Sequence, residues 1–175
     1  GVQSPRARME LIFDYCFNYA KNFNPKSPSI TMIGATGLGK THLSLAIANL
    51  VINRGFGVIY VSVPDMVLRL EKERFKETSN IPDSENHFKD CQLLILDDLG
   101  TEFSTQFSNS SIYNIINSRM MTSKPTIINT NLSIKELEHN YTQRMVSRII
   151  GGNIKLEFIG VDIRQQRWRA KNVPK

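Results

Sequence analysis

The segment Gly34-Ala35-Thr36-Gly37-Leu38-Gly39-Lys40-Thr41 matches G-x-x-x-x-G-K-[ST] at every fixed position. Glycines at those places let the backbone curl so that successive N–H groups point at phosphate oxygens. A helix beginning at the end of the loop adds its positive dipole end. The Lys40 ammonium can reach the β- and γ-phosphates, and the Thr41 hydroxyl can take a magnesium ion. The chemistry is nucleoside triphosphate binding. Its candidate contacts are Gly34, Ala35, Thr36, Gly37, Leu38, Gly39, Lys40, Thr41 and the adjacent His42.

A second acidic element follows. Leu93-Leu94-Ile95-Leu96-Asp97-Asp98 reads as a buried strand ending in two carboxylates, in the crevice where α/β sheets bind ligands. Asp97 is placed to hold magnesium through its water shell, and Asp98 to orient the attacking water. The plainer reading is two solvated acids in a turn. An acid directly after the metal acid argues for hydrolysis, although aspartate is one methylene shorter than glutamate. The strand Thr126 to Thr130 ends in side-chain amides and a hydroxyl, and Asn131 either orients the water beside the γ-phosphate or caps a helix starting near Ser133. Arg144 and Arg148 share one helical face, which is either a solvated basic surface or an arginine finger for a neighbouring subunit. Arg164 is a surface charge or a phosphate contact within its own subunit.

These groups need a scaffold. Apolar spacing predicts helices over 6–23, 40–53, 64–76 and 108–121, and one or two short helices over 133–150. Strands are expected over 30–33, 58–63, 93–96 and 126–130, with a half-exposed edge strand around Ile154, Leu156 and Phe158. Residues 78–86 read as polar linker. Strand and helix alternate, which specifies an α/β domain with a mainly parallel sheet.

The chain has 175 residues, room for one ordinary domain. No apolar stretch is long enough to span a membrane, and the start carries no apolar signal region. Cys16 and Cys91 have no metal-type spacing, which fits a reducing cytoplasm. The net charge of +6 lies wholly within residues 141–175, pointing to a polyanion near the C-terminal end. Arg167, Arg169, Lys171 and Lys175 are the part of that charge left for DNA. The beginning at Gly1 rather than Met implies a trimmed chain with another domain upstream.

Together GATGLGKTHL, LLILDDLG, TIINTNLS, QRMVSRI and VDIRQQR resemble the AAA+ ATPases of the DnaC/DnaI bacterial helicase-loader type, over about residues 10–170. The resemblance implies a P-loop NTPase fold: a five-stranded parallel sheet between helices, the phosphate-loop strand near its centre, and no C-terminal helical lid. It implies ATP with Mg2+, and self-assembly into an open ring or spiral on the replicative helicase. By motif, Asp97 becomes Walker B, Asp98 the hydrolytic acid, Asn131 sensor 1 and Arg164 a sensor-2-like arginine. Arg148 becomes the finger, with Arg144 as the fallback. A helix after the second strand faces single-stranded DNA in initiators and loaders of this group, and residues 64–77 hold that place. Arg69, Lys72, Arg74, Phe75 and Lys76 are its candidate DNA contacts; the interleaved acids Glu71, Glu73 and Glu77 equally support a plain solvated face. The implied layout is an N-terminal helix and linker over 1–24, the ATPase domain over 25–170 and a basic tail over 171–175. The family's helicase-grasping domain is not in this chain.

Three alternatives compete. A transposition helper ATPase of the IstB type tends to read DELGY where this chain has DDLGT. A P-loop small-molecule kinase would need a mobile arginine-rich lid, and Asp98 and the polar sensor strand speak against it. The last is a nucleotide-gated DNA-binding module that hardly hydrolyses.

Overall fold

Buried apolar runs decide the layering. The computed structural model describes residues 4–75, 83–160 and 162. Its elements in chain order are α1 (Pro5–Lys21), β1 (Ile30–Ile33), α2 (Lys40–Asn53), β2 (Val58–Ser62), α3 (Val63–Arg74), α4 (Ser84–Asp90), β3 (Leu93–Leu99), α5 (Gln106–Met121), β4 (Thr126–Thr130), α6 (Ile134–Asn140), α7 (Gln143–Ile150) and β5 (Ile154–Glu157). The five strands form one parallel sheet in the order β2-β3-β4-β1-β5. β1 and β4 are buried along their whole length, as strands covered on both faces must be. β5 is the partly exposed edge that its alternating residues suggest. No helix among the described residues is long and apolar enough to cross a membrane.

Each face of the sheet has its own core. On one, Leu93, Ile95, Ile127, Ile30 and Met32 pack under α1 and α2. On the other, Leu94, Leu96 and Ile128 pack under α3 to α7. The alternation of β3 side chains supplies both. The expected helix at 6–23 is α1, and its Ile12, Cys16, Tyr19 and Ala20 are buried in the first core.

Most helix ends shift by one or two residues, and three departures from the sequence expectation matter for the site and its scaffold. β3 runs to Leu99, because the two aspartates continue the strand through a register shift between Leu96 and Leu99. Val63 begins α3 rather than ending β2, since the Ser62 hydroxyl accepts from the Asp65 N–H and caps the helix there. Ser84–Asp90 is a helix where linker was expected over 78–86. Asp83 caps it, and Phe88 is its one buried large apolar side chain, too little to show a period in the sequence. Residues 76–82 lie outside the described residues.

Arg119 on α5 is fully buried and knits the lower part of this layer together. Its guanidinium donates to the carbonyls of Phe88, Lys89, Cys91 and Pro125 and to the Thr126 hydroxyl. It thereby joins the end of α4 and the starts of β3 and β4.

Candidate nucleotide site

The loop between β1 and α2 turns where the pattern places it. Gly37 sits at φ 79, a left-handed conformation that favours glycine. Gly34 is needed for space, because a Cβ there would stand 2.5 Å from the Phe158 carbonyl oxygen. The Asp162 carboxylate lies against the loop at Gly37, where an added Cβ would stand 2.1 Å from Oδ1.

Lys40 opens α2 and is buried to 6% exposure. Its Nζ folds back over the loop and donates to the carbonyls of Gly34 at 2.5 Å and Ala35 at 2.9 Å. Burial pushes its pKa below the usual lysine value, and the nearby Asp98 and Asp97 carboxylates oppose that shift.

Thr41 and Asp97 are 56 residues apart in sequence, yet the Thr41 hydroxyl donates to Asp97 Oδ2 at 2.9 Å. Asp97 is only 3% exposed and is held from other sides as well. Asn129 Nδ2 on β4 donates to its Oδ1 at 2.9 Å, and Tyr60 Oη on β2 donates to Oδ2 at 2.5 Å. Asn129 also donates to the Ser44 hydroxyl on α2 at 2.8 Å. The paired hydroxyl and carboxylate are hard oxygen donors of the kind magnesium takes alongside substrate phosphates, so the residues present fit that ion.

Asp98 is exposed and has φ 55, left-handed for a residue with a side chain. It lies at the β3 register shift, where a bulge re-aims a side chain. The two acids therefore diverge: Asp97 faces the α2 core side, and Asp98 opens toward solvent near Lys40.

Asn131 follows β4 and is half-buried. The competing capping role belongs to Ser133, whose side chain accepts from Glu136 N and forms a reciprocal capping box with it. Sequence reasoning did not single out Asn129 or Tyr60. A buried amide inside the run TIINT was the available signal for Asn129. Nothing local marks Tyr60, an ordinary strand former.

A cavity of about 590 Å³ adjoins the loop between α1 and α2, lined by Met9, Phe13, Leu38, His42, Leu43 and Phe158 among others. His42 thus lies on the cavity side of α2, beside the Lys40–Thr41 pair.

The arginines of α7 are on the other face of the sheet from α2. Arg148 Nε donates to Asn117 Oδ1 at 2.9 Å, and Arg144 stacks 5.6 Å above the Tyr113 ring. On α3, Arg69 is paired with Glu73 at 3.3 Å, and Glu73 also accepts from Ser84. Arg74 lies 5.3 Å from the Phe107 ring centroid, whereas Phe75 is 80% exposed and Lys72 is exposed. Lys76, Arg164, Arg167, Arg169, Lys171 and Lys175 lie outside the described residues.

A parallel α/β sheet with a phosphate loop after β1, and an acid pair closing β3, defines a nucleotide-binding domain of the AAA+ P-loop class. The chain belongs to the IstB-like ATP binding protein family, whose match spans residues 20–173. A curated relative, the replicative helicase loader DnaC of Buchnera aphidicola subsp. Baizongia pistaciae, is 29% identical over 143 residues, covering 80% of this chain and 58% of the relative. The chain therefore spans little more than half of that protein's length. A solved DnaC helicase loader superposes with a TM-score of 0.75 at 26% identity, covering 89% of this chain and 91% of that one. The replication initiator DnaA, solved with AMPPCP and single-stranded DNA, gives a TM-score of 0.74 at 26% identity, covering 94% of this chain and 52% of that one.

Proposed function

We propose that this chain is the ATP-binding and ATP-hydrolysing domain of a DNA replication helicase loader, one that binds single-stranded DNA and assembles with the replicative helicase. The observation that carries the ATPase reading is the Thr41–Asp97 hydrogen bond beside a buried Lys40, because it joins loop and acid strand into one site. The loader reading is supported by the names of the curated relatives.

The loop N–H groups and Lys40 bind the triphosphate, exchanging the carbonyl contacts of the ammonium for phosphate oxygens. The adjoining cavity takes the base against Leu38, Leu43 and Phe158, with His42 at its rim. Thr41, and Asp97 through the water shell, would hold magnesium, whose chemistry would be to offset the triphosphate's charge. Asp98, on its bulge, orients and polarises the attacking water, helped by Asn131 from the neighbouring strand end. Arg148 serves the γ-phosphate of an adjacent subunit, with Arg144 one turn away as the alternative. Their place across the sheet from α2 supports a role between subunits. Arg164 contacts phosphate within its own subunit. Turnover is weak in the isolated domain because the finger acts across subunits, in an open ring or spiral.

On α3, Lys72 and the exposed Phe75 supply charge and a stacking ring for single-stranded DNA, with Lys76 just beyond. Arg69 and Arg74 contribute by releasing their partners Glu73 and Phe107.

The IstB-like description of the family keeps a second reading in play, a transposition helper ATPase. One experiment separates the two. The full-length protein, with ATP, is used as bait for a replicative helicase and for a transposase. Recovery of the helicase supports the loader, and recovery of the transposase alone rejects it.

A further inference from the structure

The Walker B acid has more partners than its metal role requires, and one comes from an unexpected strand. Tyr60 on β2 pairs in register with Ile95 on β3, and Ser62 pairs with Asp97. Side chains two residues apart share a sheet face, so Tyr60, Ile95 and Asp97 point the same way. Asp97 therefore stands two residues up the strand from the level of Tyr60, roughly 6–7 Å at the usual strand rise. A phenol leaning along the strand spans that gap and no shorter side chain does. The Tyr60 hydroxyl closes it at 2.5 Å from Asp97 Oδ2.

The same Oδ2 accepts from Thr41, and Oδ1 accepts from Asn129. Thr41 is the partner whose oxygen is needed by the metal, so its hold on Asp97 is not available for positioning alone. Asn129 and Tyr60 are the two partners with no such duty, and they grip opposite oxygens from opposite neighbouring strands. β2 is an edge strand, and Tyr60 is 39% exposed while the Asp97 it contacts is 3% exposed.

We infer that Tyr60 is a positioning residue for magnesium binding: with Asn129 it fixes the orientation in which the Asp97 carboxylate meets Thr41. The inference rests on the ATPase reading of the site. The role assigned to Tyr60 is exerted through Asp97, the partner of its hydroxyl. Outer-shell partners of this kind typically carry 10–100-fold in metal affinity.

The test is Tyr60→Phe, which keeps the ring and removes one oxygen. A fluorescent ATP analogue is titrated into wild type and variant, first in EDTA and then across a magnesium series. Wild-type affinity should rise with magnesium. Tyr60→Phe should match wild type in EDTA and need about tenfold more magnesium to reach the half-way point. An Asp97→Asn background gives the control on mechanism: there Tyr60→Phe should add no further shift. An unshifted magnesium midpoint in Tyr60→Phe overturns the assignment, as does a shift that persists in the Asp97→Asn background. A variant that loses affinity equally in EDTA shows a merely structural role and overturns it too. If the wild type itself shows no magnesium dependence, the metal reading of the site fails with it, a result distinct from a failure confined to Tyr60.

Discussion

The two faces of the sheet treat their candidate side chains in opposite ways. On the α1–α2 face, Lys40, Thr41 and Asp97 converge within hydrogen-bond or electrostatic reach, mostly buried, at the strand ends. On the α3–α7 face, each arginine singled out for chemistry has a partner of its own: Glu73 for Arg69, Phe107 for Arg74, Tyr113 for Arg144 and Asn117 for Arg148. The first face gathers its groups into one cluster. The second holds its arginines apart, each on a partner of its own. Burial explains the contrast. Where the ends of β3 and β4 are covered by α2, an unpaired polar group is costly, so the groups must satisfy one another. On an outer helix, water substitutes freely and the partners are weak.

The largest test of this contrast is Arg148→Ala. Assembly-stimulated phosphate release should fall by about 10³–10⁵, the range of an arginine finger, while ATP binding stays intact. Loss of binding itself would place Arg148 within its own subunit or in folding. Next in size is Arg119→Ala, which concerns the interior of the second face rather than its surface. Removing the fully buried guanidinium leaves neutral carbonyl acceptors without a donor and should cost about 3 kcal/mol in urea unfolding. A cost under about 1 kcal/mol would mean that water replaces the guanidinium easily.

Asn129 and Asn131 sharpen the boundary of the buried corner. Asn129→Ala should destabilise the fold by about 1–3 kcal/mol, since it strips a donor from the buried Asp97. Asn131→Ala should leave the unfolding midpoint nearly unchanged and slow hydrolysis. The reverse pattern would exchange their roles. The smallest effect is expected at Lys72→Ala. Single-stranded DNA affinity should weaken a few-fold, and the slope of log affinity against log salt should drop by about one. A slope that does not change removes Lys72 from the DNA surface.

The fold class, the sheet's parallel character and most element boundaries were legible before any coordinates, because each rests on local periodicity. The failures were of one kind. α4 was hidden, since a seven-residue helix with one large apolar anchor has no period to detect. The continuation of β3 to Leu99 was hidden, because acids do not read as strand and only pairing with β2 and β4 keeps them there. The part played by Asn129 was hidden, because only the pairing of β4 with β3 brings its amide to Asp97.

The phosphate loop was determined by the sequence alone. Its pattern is local: backbone N–H groups from consecutive residues, with a lysine and a hydroxyl at fixed offsets, all within residues 34–41. What surrounds Asp97 was decided by tertiary structure. Its partners Thr41, Tyr60 and Asn129 stand 56, 37 and 32 residues away and meet it only because the strand order sets β3 between β2 and β4, with β1 beside β4. Spacing encodes contacts a chain makes with its near neighbours. A carboxylate held from three directions depends on a sheet that folding must assemble first.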